Sequence, residues 1–172
     1  EVSILENFTK KSYDKIIDIA EYNGTFLFLT NKNILASTYS EGTSTEIAQN
    51  NGSNKIISCG DKIILWTYND KSPVYMLNKD GNLEIIYTPS KQLHTIRYMP
   101  NQLILVEGNS IVTLLNLNNK TNEKLYTGTG IQDIINNYIN ENIYITGGNF
   151  DLETLNNKVV NMVKSVEESV IG

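Results

Sequence analysis

Short apolar runs, separated by asparagine, glycine and other turn residues, recur at regular intervals along the chain. Four of these runs, at residues 27–29, 63–65, 103–105 and 143–145, are each followed by an asparagine: Asn33, Asn69, Asn109 and Asn149. Successive asparagines are 36, 40 and 40 residues apart. A second column of apolar runs, at 16–19, 56–59, 95–98 and 134–135, precedes the first. Two columns in register predict a repeat of about 40 residues built from short strands.

Each repeat predicts four antiparallel strands, because runs of β-branched and aromatic residues are bounded by Asn, Gly, Asp and Pro. In the second repeat the predicted strands are 55–59, 62–68, 73–77 and 83–87. In the third repeat they are 95–99, 103–106, 111–117 and 123–126. The Asp80-Gly81 pair predicts a tight hairpin turn with positive φ angles.

This arrangement resembles the β-propeller superfamily, most nearly its divergent WD-repeat-like members, over nearly the whole chain. Trp66-Thr67 and Leu93-His94 stand in place of the Trp-Asp and Gly-His pairs of a typical WD repeat. The resemblance implies an all-β fold: a β-propeller or partial propeller of about four four-stranded antiparallel blades. We predict a single domain over residues 1–172, with repeats at about 14–53, 54–91, 92–130 and 131–163.

The two ends of the chain carry separate predictions. Residues 1–8 fit an outer strand of a neighbouring or closing blade, and residues 164–172 a tail with a short helix as one alternative. Four blades leave two open strand edges unless the ends meet, and open edges pair readily with another chain. We therefore expect a second copy or a different chain to complete the ring, with a closed four-bladed ring as the alternative.

Composition and charge exclude several classes of function. The chain has 172 residues, 40% hydrophobic and 19% charged, with a net charge of -5 and one arginine, Arg97. This charge balance argues against a nucleic-acid partner, because phosphate binding needs a concentrated positive field. No apolar run approaches the roughly 20 residues that span a membrane. The chain begins at Glu1 without a signal-peptide pattern, which indicates an excised piece and favours the cytoplasm while leaving localisation open.

The residues that carry chemistry are few. His94 is the single histidine and Cys59 the single cysteine, so sites with several histidine or cysteine ligands are excluded. We interpret His94 as a hydrogen-bonded structural residue and Cys59 as a buried thiol. The acids near strand ends, Asp18, Asp133, Glu107 and Asp70, are expected to be solvated rather than catalytic. The sequence therefore predicts no catalytic residue, no metal and no cofactor.

The remaining class of function is binding of another molecule at the protein surface, because binding residues are concentrated on the loops of a rigid scaffold. The first candidate cluster follows the second strand of the second repeat and comprises Trp66, Tyr68, Asn69 and Lys71. Aromatic side chains beside cations are common interface anchors. Trp66 has packing between blades as its alternative. Arg97 and Tyr98 form a second cluster, and Lys10, Lys11 and Lys15 a third, with a solvated face as its alternative.

The leading interpretation is a non-enzymatic scaffold that binds proteins through its propeller loop faces and that another chain completes. The alternative is a surface or secreted propeller that binds a glycan or a receptor. A propeller enzyme ranks third, since it would need acids or His94 to converge on the central channel. Fold alone does not decide among them, because one fold hosts many activities.

Overall fold

The structure, a computed structural model, describes residues 15–38, 44–137 and 142–147. All regular secondary structure in these ranges is β-strand, as predicted. The strands are β1 (Ile16–Tyr22), β2 (Thr25–Thr30), β3 (Asn33–Thr38), β4 (Thr45–Gln49), β5 (Lys55–Cys59), β6 (Lys62–Trp66), β7 (Val74–Leu77), β8 (Leu83–Tyr87), β9 (Leu93–Met99), β10 (Gln102–Glu107), β11 (Ile111–Asn116), β12 (Asn122–Thr127), β13 (Ile131–Asn137) and β14 (Asn142–Gly147). The described residues contain no helix of the length and apolarity that a membrane span requires.

Strands that are consecutive in sequence pair side by side, so each of the first three repeats is an antiparallel meander. The sheets β1-β2-β3-β4, β5-β6-β7-β8 and β9-β10-β11-β12 each have four strands, and β13 pairs with β14. We call them the first to fourth blades in chain order. The predictions for residues 1–8, for residues 164–172 and for Lys10 and Lys11 lie outside the described residues.

The described residues form two compact units. The first unit holds β1 to β8, and the second holds residues 68–71 together with β9 to β14. The core of the first unit joins the first and second blades through Leu27, Leu29, Ile34, Ala48, Ile56, Ile63, Leu65 and Tyr75. The core of the second unit is formed by Met99, Ile104, Val106, Val112, Leu114, Tyr126 and Ile131. Burial of Tyr126 raises the pKa of its phenol above the ordinary value.

Several predicted strand limits need correction. Strands β5 and β8 have the predicted bounds, but β6 ends at Trp66 rather than at 68, because the chain leaves the sheet before the left-handed residue Asn69 (φ 58°). The predicted Asp80-Gly81 turn is also different, since only Gly81 has a positive φ (80°). Residues 78–82 form a longer loop, in which Asn78 Oδ1 accepts hydrogen bonds from the backbone N–H groups of Asp80 and Asn82.

A two-residue hairpin does occur in the first blade. Asn23 and Gly24 have φ angles of 48° and 71°, and they join the paired residues Tyr22 and Thr25. Positive φ at both central residues is the requirement of a type I′ turn, which matches the twist of the two strands. In the second blade Cys59 and Lys62 are the corresponding closing pair, around Gly60 (φ 61°). These two pairs align the blades residue by residue.

A bulge recurs at one position of the inner strands. The register shifts between Ile16 and Asp18 in β1, between Leu93 and Thr95 in β9, and between Ile131 and Asp133 in β13. The extra residues are Ile17, His94 and Gln132. A bulge twists the strand and turns a side chain away from the regular alternation. Three of the four inner strands therefore share a backbone feature that the apolar columns alone do not reveal, while β5 pairs with β6 without a register shift.

Within the first unit, three hydrogen bonds join the inner strand β1 to β5 and to the turn that follows β5. The Ile56 N–H donates to Asp18 Oδ2 at 2.8 Å, the Ser58 hydroxyl donates to the Glu21 carbonyl at 2.6 Å, and the Tyr22 hydroxyl donates to the Asp61 carbonyl at 2.9 Å. We call this contact the blade junction. Beside it Lys62 Nζ lies 3.2 Å from Asp61 Oδ1, and this hydrogen bond lowers the pKa of Asp61.

Candidate functional site

The candidate site lies in the second unit, where residues 68–71 meet the beginning of β9. The Asn69 N–H donates to the Leu93 carbonyl at 2.6 Å, and the Leu93 N–H donates to the Asp70 carbonyl at 3.0 Å. Asn69 adopts a left-handed φ, which asparagine tolerates better than most residues with a Cβ. The loop is thus attached to β9 through its backbone. This attachment does not depend on which side chains the loop carries.

An aromatic pair stands on this loop. The rings of Tyr68 and His94 lie edge to face, with centroids 6.4 Å apart and planes at 79°. Tyr68 is 50% exposed, and His94 is half-buried as the bulged residue of β9. Edge-to-face contact suits the ring quadrupoles and favours this orientation of the tyrosine. We define the Tyr68 patch as Tyr68, Asn69, Lys71 and His94.

The predicted binding residues separate into three places. Tyr68, Asn69 and Lys71 are exposed together in the loop. Trp66 belongs to β6 of the first unit and is only 6% exposed, so its ring is packed inside rather than displayed. Arg97 and Tyr98 are exposed on β9. Since a strand rises about 3.3 Å per residue, Arg97 lies roughly 10 Å along β9 from His94.

His94 was not predicted to bind, and its structural role differs from the expected one. The sequence interpretation made it a hydrogen-bonded structural residue, whereas its described interaction is the ring contact with Tyr68. The contact spans 26 residues of sequence and depends on the bulge, so no local pattern reveals it. The signal in the sequence that could have pointed to this contact is Asn69, one of the recurring asparagines, because it lies in the loop that bonds to β9.

A buried carboxylate lies behind the patch, contrary to the prediction of a solvated acid. Glu107 is fully buried and pairs in register with Leu93. Its Oε1 accepts hydrogen bonds from the Ser90 N–H at 2.8 Å and the Ser90 hydroxyl at 3.3 Å, while Oε2 accepts one from the Thr113 hydroxyl at 2.6 Å. A buried carboxylate needs such donors to offset lost hydration. Glu107 thereby fixes the segment that leads into β9.

The segment immediately before β9 carries a further cation. Lys91 is exposed, and its Nζ donates to the Ser110 hydroxyl at 2.9 Å. The backbone of the next residue, Gln92, accepts a hydrogen bond from the Gly108 N–H at 2.6 Å. The beginning of β9 is therefore held from both sides, by residues 69–70 and by Gly108. Such a fixed surface loses little conformational entropy when a partner binds.

The described residues hold no cluster of three or more His, Cys, Asp or Glu side chains with a geometry for a metal ion. Cys59 is buried in β5, as predicted. Asp18, an inner-strand acid considered for catalysis, accepts a hydrogen bond from the Ile56 N–H in the first unit. The arrangement around the Tyr68 patch offers an aromatic surface, an amide and a cation.

Solved structures of low sequence identity share this architecture. The N-terminal domain of Nup159 aligns with a TM-score of 0.54 at 12% identity, over 80% of this chain and 44% of that one. TolB from Acinetobacter baumannii aligns with a TM-score of 0.58 at 16% identity, over 78% and 38%. The chain has a β-propeller fold. The tricorn protease, an enzyme, aligns with a TM-score of 0.58 at 10% identity, over 80% and 16%.

The chain spans less than half the length of each of these solved chains. No protein-family model matches the sequence, and no curated protein sequence matches it either. In a further matched structure, from S. cerevisiae, Nup159 is bound to Dbp5. Both binding proteins and enzymes thus use folds like this one, and the fold leaves the choice to the site.

Proposed function

We propose that this chain is a non-enzymatic propeller scaffold that binds a protein partner through the Tyr68 patch. The observation that supports the proposal best is the exposed Tyr68 ring, which makes an edge-to-face contact with His94 and belongs to a loop tied to β9 by two backbone hydrogen bonds. Tyrosine buries a large apolar area and still offers a hydroxyl, which is why it is enriched among residues that dominate binding energy.

The charges around the Tyr68 patch indicate the charge that its partner carries. Lys71 and Lys91 are exposed near the beginning of β9, against one exposed acid in the loop, Asp70. The whole chain is acidic, with a net charge of -5, so this region differs from the average surface. We expect rim cations of this kind to speed association with an acidic partner rather than to supply most of the affinity.

The solved structures that share the fold support protein binding only in general terms. Nup159 binds Dbp5 in its solved complex, and the tricorn protease shows that similar folds also serve catalysis. Two of the acids considered from the sequence support the scaffold proposal: Glu107 is enclosed by hydrogen-bond donors, and Asp18 accepts a hydrogen bond from a backbone N–H. Neither carboxylate has the open approach that a general acid or base needs.

The test compares three baits: the unchanged chain, Tyr68→Ala, and Ile85→Ala as a matched control. Ile85 is also an exposed large side chain, 56% accessible on β8 of the first unit. Captured proteins are identified, purified and titrated directly. We expect Tyr68→Ala to weaken binding at least tenfold, since anchor residues are worth about 2 kcal/mol or more, and Ile85→Ala to leave the dissociation constant within twofold.

Arg97→Ala decides how far the binding surface extends along β9. A loss of affinity there would join the second predicted cluster to the Tyr68 patch, while an unchanged dissociation constant would confine the surface to the loop. If no purified candidate binds directly, or if Tyr68→Ala and Ile85→Ala weaken binding equally, the proposal is wrong. Selective binding to a glycan array instead would replace it with the glycan-binding alternative.

A further inference from the structure

Two exposed lysines lie near the beginning of β9, and the side chain of one of them, Lys91, is held in place. Its Nζ donates to the hydroxyl of Ser110, a residue that is only 7% exposed. Its stem crosses Gly108, since a Cβ placed on that glycine would lie 3.2 Å from Lys91 Cδ and 3.5 Å from Lys91 Cβ. The side chain of the other lysine, Lys71, makes no hydrogen bond or ion pair within the described part of the chain.

The backbone on both sides of Lys91 is held as well. The preceding residue, Ser90, donates its N–H to Glu107 Oε1 at 2.8 Å, and Glu107 is fully buried. The carbonyl of the following residue, Gln92, accepts the Gly108 N–H at 2.6 Å. The stem, the ammonium group and the neighbouring backbone of Lys91 are therefore all positioned before a partner binds. A cation positioned in this way loses less side-chain entropy on binding than a mobile one.

The ammonium group of Lys91 retains most of its capacity for binding. An ammonium has three donor hydrogens, and the hydrogen bond to Ser110 uses one of them. This bond is the one polar contact that the described residues give the Lys91 side chain, and a neutral hydroxyl leaves the positive charge uncompensated. Two donors and the charge remain for a partner. A carboxylate is the acceptor that complements them, because charge-assisted hydrogen bonds are the strong ones.

Lys91 lies close enough to the Tyr68 patch to act on the same partner. Three residues of chain span at most about 11 Å, so the Cα of Lys91 lies within that distance of the Cα of His94, whose ring contacts Tyr68. We propose, on the basis of the function proposed above, that Lys91 sets the specificity of the Tyr68 patch by binding an Asp or Glu side chain of the partner protein. That acid lies a few residues from the partner residue that packs on the Tyr68 ring.

A library of random peptides displayed on phage tests this proposal with a defined probe. It is selected separately on the unchanged chain, on Lys91→Gln, on Tyr68→Ala and on the matched control Lys71→Gln. Both lysines are exposed in the second unit, so we expect both glutamine variants to fold, and circular dichroism verifies this. Asp and Glu should be enriched in peptides selected on the unchanged chain and on Lys71→Gln, but not in those selected on Lys91→Gln.

Titration of the selected peptides measures the contribution of each lysine. Lys91→Gln should raise the dissociation constant of the acidic peptides about fivefold, which corresponds to about 1 kcal/mol for an exposed ion pair. Lys71→Gln should raise it less than about twofold. Ser110→Ala keeps the charge of Lys91 but removes its anchor, so an intermediate increase is expected. Added salt should remove the difference between the unchanged chain and Lys91→Gln, because exposed charges are screened.

The variants distinguish a failure of the role of Lys91 from a failure of the proposed function. Peptides that require Tyr68 but show no enrichment of Asp and Glu, or that bind Lys91→Gln as tightly as the unchanged chain, would overturn the role of Lys91 alone. An equal loss from Lys71→Gln and Lys91→Gln would also overturn it. A library that yields no peptide dependent on Tyr68 would contradict the proposed function, and the role of Lys91 with it.

Discussion

Ile19 and Ile56 hold equivalent positions in consecutive blades, yet their environments are opposite. Each lies on an inner strand three residues before the closing pair of its hairpin. Ile56 is 2% exposed because the first blade packs against it, while Ile19 is 42% exposed. The strand type, side-chain size and distance from the turn are the same. Burial in this repeat is therefore decided by the neighbouring blade and not by the strand that carries the residue.

The largest expected effect comes from placing a charge at each of the two positions. Ile56→Asp buries a carboxylate in an apolar junction, and we expect the free energy of unfolding to fall by about 3 kcal/mol or more, as for other unpaired buried charges. Ile19→Asp should change it by about 0.5 kcal/mol or less, as is usual at a surface. Urea unfolding at low protein concentration, where self-association does not contribute, measures both.

The two variants provide controls for one another, because the substitution and the strand position are the same. Equal losses of stability would contradict the assignment of Ile19 to an open face. Equal tolerance would contradict the blade junction itself. Ile56→Val adds a neutral reference, since removing one methylene group from a core costs about 0.5–1.5 kcal/mol.

A smaller effect is expected from the hydrogen bond that joins the blades. Asp18→Ala leaves the Ile56 N–H without its carboxylate partner, and an unsatisfied buried donor costs about 1–3 kcal/mol. Asp18→Asn keeps an acceptor oxygen at the same place and should retain most of the stability. Both are measured by urea unfolding.

Glu21→Ala is the matched control for Asp18→Ala. Glu21 lies on the same strand with an exposed side chain, and only its backbone carbonyl joins the junction, through Ser58. We expect its stability to stay within about 0.5 kcal/mol of the original chain. A loss at Glu21 as large as at Asp18 would show that a general charge effect, and not the bond to Ile56, holds the blades together.

The repeat itself could be predicted from the sequence, because strand formation here follows a local pattern. Strands β5 and β8 have the predicted bounds, and the columns of apolar runs correspond to β2, β6, β10 and β14. Two asparagines of the first column make backbone hydrogen bonds: the Asn69 N–H donates to the Leu93 carbonyl, and the Asn109 carbonyl accepts the Ile131 N–H at 2.9 Å. Both link a loop to the next inner strand within the second unit.

The details of the site could not be predicted, because they depend on contacts distant in sequence. Nothing in the run at residues 16–19 distinguishes an open Ile19 from the covered Ile56. The bulge that turns His94 toward Tyr68 is a feature of strand register, and the burial of Glu107 depends on Ser90 and Thr113. Trp66 was a binding candidate with packing as its alternative, and its position in β6 with 6% exposure agrees with the packing alternative.

The smallest expected effect concerns the outer end of the blade junction. The Tyr22 hydroxyl donates to the Asp61 carbonyl at 2.9 Å in an exposed setting, where water replaces either partner. Tyr22→Phe keeps the ring in the core of the first unit and should lower the free energy of unfolding by about 0.5 kcal/mol. Tyr22→Ala, which also removes the ring, should lower it by several times as much. If Tyr22→Phe alone costs as much as Asp18→Ala, then the exposed end and not the buried Asp18–Ile56 bond holds the two blades in register, and the contrast between Ile19 and Ile56 needs another cause.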